Sequence, residues 1–355
     1  MLKSLTPFRQ LARLYGSVLS ATADLHRQQD TLTQLRQVVL QSRVEARGAN
    51  SDATMQSAQI ADRIADVATR LNTIAAPLHI EGNRNIGHTW QDSAQLLASL
   101  RAELARTMPD NIALQGWNSY AQCDEDGIIR ACLKRIKGRT EMSGTFIEIG
   151  CGNGLENNTH QLLLDGFRGG WLDGNPRNIA FIAEQLGSLK SDHLLVTEAF
   201  VTKESVRPLV AQFREHLGTP DVDFFSFDLD GNDLHLMPLA LQEIAPKIIC
   251  VEYNGKFPPP TNLAMAYVGD HQWAEDDYYG ATLQAWVNLF QGKYSLVSCN
   301  LSGVNAFFVR DDLVESFKIY PVDQLYQPCR YWLVGNNGHR ASMKWLKQKL
   351  APRQE

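Results

Sequence analysis

The sequence predicts an α/β fold in which a mostly parallel β-sheet, covered by helices on both faces, follows an N-terminal α-helical region. From about Tyr120 onward, short apolar segments alternate with helical segments, which is the pattern of a parallel sheet. Residues 1–76 show no strand-like alternation and contain many helix-forming residues. We therefore expect a helical region at 1–76, a linker and helix at 77–119, the α/β domain at 120–335 and a basic helix or tail at 336–355.

The helical region carries a heptad-like apolar repeat, with spacings of 4, 3, 4 and 3 between Ile60, Ile64, Val67, Leu71 and Ile74. An earlier, interrupted register indicates a second helix. Because such helices cannot bury their apolar stripes alone, we expect a coiled-coil-like region that forms a homo-oligomer. The first turns also place basic residues among leucines, so peripheral contact with a membrane surface is an alternative to a helix–helix contact.

Composition limits the classes of partner and the compartment. The 355 residues are 44% hydrophobic and 21% charged, a balance that allows a buried core. After Asp110, 22 basic residues accompany 29 acidic ones, which argues against a nucleic-acid partner. The six cysteines lack metal-site spacing and are expected to be reduced. No stretch approaches the roughly 20 apolar residues of a transmembrane segment, so we expect a cytoplasmic protein.

Seven strands are predicted in the α/β domain: Thr145–Ile149, Gly170–Asp173, Leu194–Thr197, Asp223–Asp228, Lys247–Glu252, Tyr294–Cys299 and Ala306–Arg310. Only Asn300 to Val304 separate the last two, so these strands must pair as an antiparallel hairpin. Five parallel strands closed by one hairpin form the Rossmann-like sheet of S-adenosylmethionine (SAM)-dependent methyltransferases. A nicotinamide-dependent oxidoreductase would instead continue with parallel strands.

The first strand runs into a turn that is predicted to contact the cofactor through Gly150, Cys151, Gly152, Asn153 and Gly154. Its glycine spacing lacks the third glycine of a dinucleotide motif and fits the methionine part of SAM better than a pyrophosphate. Glu148 is an acid inside the preceding apolar strand, where a buried carboxylate needs a partner. It is expected to order this loop or to reach the ammonium group of SAM, and a purely structural role remains open.

Further cofactor contacts are predicted at the next two strand ends. Asp173, about 20 residues beyond the glycine turn, is placed to accept hydrogen bonds from both ribose hydroxyls. Gly174 and Asn175 follow it and are expected near the adenosine. After the third strand, a polar contact and an apolar wall for the adenine are predicted at Glu198, Ala199 and Phe200.

The fourth and fifth strands end in acids and amides at the edge where ligands bind in open α/β sheets. Oxygen ligands from adjacent strand ends suit Mg²⁺ or Mn²⁺, which makes candidate metal ligands of Asp228, Asp230, Glu252 and Asn254. The same acids could instead position SAM, with Asp228 among its contacts. In a further alternative, Asp228 or Asp230 is the base that removes the proton of the acceptor.

The segment from Lys256 to Gly280 is expected to meet the acceptor. It contains His271, a candidate catalytic histidine, whereas His235 lies in an apolar helical context and is expected to pack. Trp273, Tyr278 and Tyr279 stand close to several acids, an arrangement that suits a sugar or another polyhydroxylated ring. A solvated loop explains the same composition equally well.

From about Tyr120 to Arg330 the chain resembles the FkbM-like family of SAM-dependent methyltransferases, on the motifs SYAQCDEDGII, FIEIGCGNGLENNT, GWLDGNP, FDLDGND, VEYNG and NAFFVR. The resemblance implies O-methylation, often of sugars in surface glycans, and carries the SAM site onto Glu148, Gly150, Gly152, Asp173 and Asp228. It also implies that Gln122, Glu125 and Asp126 fold over the site, with Gln122 at the cofactor. The aspartate-rich FDLDGND departs from the shorter acidic signature of many members.

These features predict a SAM-dependent O-methyltransferase that acts on a hydroxyl of a sugar or a similar acceptor. An alternative from another class is a non-catalytic scaffold on a methyltransferase fold, whose helical region recruits partners. The complete set of cofactor residues argues against the scaffold, and binding of SAM separates the two hypotheses.

Overall fold

The computed structural model describes residues 91–186, 193–331, 333 and 341–350. The helical region predicted at 1–76, with the oligomer contacts expected of it, lies outside these ranges. Residues 91–107 form helix α1. Within the described ranges, no helix is long and apolar enough to cross a membrane.

The sheet contains seven strands in the described part of the chain, in the order β3-β2-β1-β4-β5-β7-β6. They are β1 Thr145–Ile149, β2 Arg168–Asp173, β3 Leu194–Glu198, β4 Phe224–Phe227, β5 Ile248–Glu252, β6 Tyr294–Cys299 and β7 Asn305–Arg310. Strands β1 to β5 pair in parallel, whereas β7 runs antiparallel to both β5 and β6. The α/β sheet and its closing hairpin, both predicted from sequence, are confirmed.

The described helices connect these strands and cover the sheet. They are α2 Glu125–Ile136, α3 His160–Leu164, α4 Pro176–Leu186, α5 Val206–Leu217, α6 Asp233–Ala240, α7 Leu283–Phe290, α8 Val322–Leu325 and α9 Lys344–Leu350. Two 3₁₀ helices add Ile112–Gln115 and Asp311–Ser316. Helix α5 ends at Gly218, whose φ of 73° allows a left-handed C-terminal cap that bonds the carbonyls of Arg214 and Glu215.

The central strands are apolar on both faces, because helices cover both sides of the sheet. Every residue of β1 and β4 is buried. Aromatic rings from the sheet and from α5 fill the core between the sheet and that helix. Leu104, Met108 and Ile112, which precede the sequence-predicted domain start at residue 120, are buried in the same core. This packing leaves the carboxyl ends of β1, β2, β4 and β5 side by side.

A buried ion pair lies just before β4 and β5, at the amino edge of the sheet, which is the end opposite the carboxyl ends of the parallel strands. Lys247, just before β5, is fully buried, and its Nζ lies 2.7 Å from an oxygen of Asp223 and 2.7 Å from one of Asp221. The Asp223 carboxylate also accepts hydrogen bonds from the backbone N–H groups of Ser143 and Gly144. Neutralisation and hydrogen bonding together compensate the cost of burying these charges.

We expect Asp223→Ala to lower the free energy of unfolding by about 3–5 kcal/mol, because it leaves the buried ammonium group of Lys247 with only the half-exposed Asp221 as a partner and removes the acceptor of the Ser143 and Gly144 N–H groups. Urea unfolding followed by circular dichroism measures this loss. The matched control is Arg139→Ala at the exposed Arg139–Glu315 pair, where the expected loss is about 0–1 kcal/mol. Equal losses in the two variants would contradict the structural role of the buried pair.

Candidate functional site

Two adjoining cavities open along the carboxyl edge of the sheet. Their volumes are about 490 Å³ and about 320 Å³. Both are lined by Gly150, Gly152, Asn178, Asp228 and Asp230. The two cavities are therefore halves of one cleft that meet at the glycine turn after β1, as the topology of an open α/β sheet favours.

The glycine turn brings β1 and β4 into close contact. Gly150 has φ +87°, and a Cβ atom there would lie 1.7 Å from the carbonyl oxygen of Asp228. The N–H of Asp228 in turn donates to the carbonyl of Ile149 at 3.0 Å. At Gly152, φ is +56° and no atom lies within 4 Å of an added Cβ. Gly150 is thus needed for packing, and Gly152 leaves the floor of the cleft open.

Glu148 orders the loop that follows this turn, which is one of the two roles expected of it. Its carboxylate accepts hydrogen bonds from the side chain of Asn157, the backbone N–H groups of Asn158 and Thr159, and the hydroxyl of Thr159. Burial raises the pKa of Glu148 to about 7, against the opposing effect of these donors. The carboxylate also lines the larger cavity.

Asp173 joins the glycine turn to the start of α4. One carboxylate oxygen accepts from the N–H of Gly152 at 2.8 Å, and the other accepts from the N–H of Asn175 at 2.8 Å and from the amide of Asn178 at 3.0 Å. A carboxylate offers about four acceptor positions, so one remains for a ligand. Asp173 lines the smaller cavity, where a ribose contact was predicted.

The smaller cavity has an apolar wall beyond Asp173. Gly174, Ala199 and Phe200 line it, and the Phe200 side chain is 49% exposed. Three other predicted cofactor contacts line neither cavity: Gly154, Asn175 and Glu198. Gly154 packs behind the turn, the Asn175 side chain accepts from the N–H of Arg177 at the start of α4, and Glu198 is exposed.

His271, expected from sequence to meet the acceptor, lines the smaller cavity together with Asp173 and Phe200. Its ring packs on Gly231, where an added Cβ would lie 2.3 Å from Cδ2, and its Nε2 is buried without a hydrogen-bond partner. His235 packs, as expected, with Nε2 at 2.8 Å from the carbonyl oxygen of Met265. These contacts hold the segment before α7 against the start of α6.

Three acids converge where the two cavities meet. Carboxylate oxygens of Asp228, Asp230 and Glu252 lie within 4.8 Å of one another. Burial raises the pKa of all three. Repulsion by Asp230 and Asp233 adds to the rise for both Asp228 and Glu252. For Asp230, repulsion by Asp173 adds to the rise and the charge of His271 opposes it. Asn254, the fourth predicted metal ligand, lines neither cavity, and its amide donates to the carbonyl oxygens of Asp277 and Tyr279.

An aromatic wall faces these acids across the larger cavity. It consists of Trp273, Tyr279 and Tyr331. The Trp273 and Tyr279 rings meet edge to face at 5.9 Å between centroids, and the hydroxyl of Tyr279 is hydrogen-bonded to that of Tyr331. Sequence reasoning missed Tyr331, together with the amide and hydroxyl residues Asn157, Asn158, Asn178, Ser226 and Asn305 that line the cleft.

Gln122, just before α2, and Glu125, the first residue of that helix, also line the larger cavity. Glu125 accepts from the N–H of Cys123 and the side chain of Asn305. Asp126 does not reach the cavity lining. One of its oxygens accepts from three consecutive backbone N–H groups, at residues 119–121, and burial raises its pKa to about 6.

We expect Asp126→Asn to reduce the pH dependence of stability. The ordinary pKa is 3.8 and the folded value is about 6, so the folded state holds this proton more tightly. Wild-type stability should therefore fall as the pH rises through this interval, and the variant should lack about 3 kcal/mol of that fall. Urea unfolding between about pH 4 and about pH 7 measures it; parallel curves for the two proteins would contradict the assignment.

No protein-family model and no curated protein matches this chain. Similar solved structures include an O-methyltransferase from Bacillus cereus in complex with S-adenosylhomocysteine (SAH), at 13% identity and a TM-score of 0.34, covering 63% of this chain and 91% of that one. A SAM-dependent methyltransferase from Aquifex aeolicus has 12% identity, a TM-score of 0.29 and coverage of 50% and 88%. A precorrin-6y C5,15-methyltransferase from Geobacter metallireducens has 18% identity, a TM-score of 0.25 and coverage of 36% and 61%. The chain thus spans less than two thirds of the length of the precorrin enzyme, and at these TM-scores the functional inference rests on the cleft itself.

Proposed function

We propose that this protein is a SAM-dependent methyltransferase. The observation that carries the proposal is the cleft at the carboxyl edge of the sheet, where a glycine turn separates two cavities of different chemistry. The smaller cavity offers a carboxylate and an apolar wall, which suit a nucleoside. The larger offers acids and aromatic rings, which suit an acceptor. A scaffold with a decayed site would not need this division.

The residues present fit the cofactor. Asp173 retains an acceptor position for a ribose hydroxyl, Phe200 presents an exposed ring for the adenine, and Gly152 leaves room above the turn. When bound, SAM would supply an activated methyl group on its sulfonium. Asp228, on the ridge between the two cavities, would place negative charge near that positive centre.

We further propose a neutral, polyhydroxylated acceptor such as a sugar of a glycan, in line with the FkbM-like resemblance. The larger cavity is lined by six acids, and none of the described residues around it is Lys, Arg or His. Anionic acceptors would be repelled by this lining. Trp273 and Tyr279 supply the flat apolar faces against which a sugar ring packs.

The acid cluster supports a role in activating the acceptor hydroxyl. Asp228, Asp230 and Glu252 present the all-oxygen ligand set that Mg²⁺ or Mn²⁺ prefers. A divalent ion there would neutralise the cluster and orient the hydroxyl. Without an ion, the raised pKa of Asp228 or Asp230 suits either residue to take the hydroxyl proton as a general base.

We expect SAM and SAH to bind the unaltered chain in isothermal titration calorimetry, with Phe200→Ala weakening the affinity about tenfold through lost stacking on the adenine. The ring is half-exposed, so its removal should leave the fold intact. Ile319→Ala, which truncates another half-exposed apolar side chain outside both cavities, is the control. Absence of SAM and SAH binding would leave only the scaffold hypothesis.

Transfer of label from methyl-labelled SAM to a fractionated cell extract should mark the glycan fraction. EDTA should abolish the transfer and Mg²⁺ or Mn²⁺ should restore it, and Glu252→Gln should lower it about tenfold by removing one ionic ligand. Asp270→Asn, at an acid outside the cluster, is the control. Label in protein would exclude the glycan acceptor, and full transfer after exhaustive chelation would exclude the metal.

A further inference from the structure

Gly154, predicted to touch the cofactor, instead contacts the C-terminal helix. It has φ +75°, and an added Cβ would lie 2.7 Å from Cε of Met343 and 2.8 Å from the ring of Trp171. Met343 immediately precedes α9 and accepts a hydrogen bond from the N–H of Lys347, so it belongs to the first turn of that helix. The back of the glycine turn is therefore packed between β2 and α9.

Helix α9 packs against two helices, each of which follows a turn at the carboxyl end of a strand. It packs against α3, which follows the glycine turn, and against α4, which follows Asp173. Met343 and Leu346 are buried in the main core at 2% and 0% exposure, whereas Trp345 is 69% exposed. Seven residues are too few for a helix that is stable in isolation, so these two contacts must hold α9 in place.

The contact between Met343 and Gly154 adjoins a network of hydrogen bonds that involves the carbonyl of Gly154 and the side chain of Trp171. The carbonyl of Gly154 lies 2.6 Å from Nδ1 of His160, and the indole N–H of Trp171 donates to the hydroxyl of Thr159. That hydroxyl also donates to Glu148. Met343 thus contacts a loop whose residues Gly150 to Asn153 line the cleft. The described residues of α9 themselves line neither cavity.

We propose that α9 is a strap that holds the glycine loop in its cofactor-binding conformation, with Met343 as the positioning residue. The proposal rests on the proposed SAM-binding function. It implies that cofactor binding and docking of α9 are coupled, and coupling is reciprocal: if α9 improves binding of the cofactor, the cofactor must stabilise α9. This reciprocity distinguishes a strap from a helix that only adds to overall stability.

The test uses SAH and the full chain. Met343→Ala should weaken SAH binding about tenfold in calorimetry, and Met343→Leu, which keeps the volume, should stay within about twofold of the unaltered protein. Trp345→Ala removes a larger side chain from the exposed face of the same helix and should leave the affinity unchanged. In hydrogen–deuterium exchange, SAH should slow the amides of residues 344–350.

The outcomes separate this proposal from the proposed function. If the unaltered chain binds neither SAM nor SAH, the methyltransferase assignment fails and the strap falls with it. If it binds SAH but Met343→Ala binds equally well, or if SAH leaves exchange in α9 unchanged, only the strap is wrong. Should Met343→Ala fail to fold, the exchange measurement on the unaltered chain decides the question alone.

Discussion

The buried carboxylate of Glu148 is the interaction on which the functional edge depends. It lies in β1 at 3% exposure, where an isolated charge would be costly, and its compensation comes from donors in one short stretch, residues 157–159. That stretch is the far end of the glycine loop. Through Thr159 the network extends to Trp171 in β2, so one acid links two strands and the loop between them. The hydrogen bonds of Glu148 therefore fix the positions of the loop residues that line the cleft.

Charged side chains are arranged differently at the two edges of the sheet formed by the amino and the carboxyl ends of the parallel strands. At the amino edge, Lys247 pairs with Asp223 and Asp221, and Asp221 also pairs with Arg310. At the carboxyl edge, Asp228, Asp230 and Glu252 stand together, and Asp230 adopts a φ of 54°, which is unfavourable for a residue with a side chain. Crowding of buried acids and backbone strain both cost stability. Clustered acids with raised pKa values are typical of functional sites, whereas the amino edge holds acids paired with basic side chains.

The fold and half of the site could be predicted because they depend on short-range patterns. Apolar strands, a five-residue connection too short for a helix, and polar residues at strand ends identified the sheet, the glycine turn and Asp173. Asn254 was assigned to the acid cluster because, like Glu252, it stands at the carboxyl end of the predicted fifth strand. Strand β5 ends at Glu252, however, and Asn254 turns to the carbonyls of another segment.

Tyr331 and Met343 were missed for a different reason. Both lie in the C-terminal segment, where no periodicity or motif marks a tertiary contact. Packing alone brings Tyr331 to the cleft and Met343 to the back of the glycine turn. His271 was placed on the acceptor side because it neighbours the aromatic residues in sequence. The close approach that Gly231 allows brings its ring to the smaller cavity. Contacts across long sequence separations carry no local signal.

The insertion of β7 between β5 and β6 also sets the order in which the sheet can be completed. Residues Ile248 to Val251 of β5 are apolar and buried in the folded chain, yet the second neighbour of this strand follows both α7 and β6 in sequence. As the chain leaves the ribosome, β1 to β4 can assemble while one side of β5 still offers unpaired backbone groups. An open apolar strand edge is a template for intermolecular pairing. Pairing of the closing hairpin with β5 therefore also covers a strand edge at which nascent chains could aggregate. This pairing can form only after β6 and β7 have been synthesised.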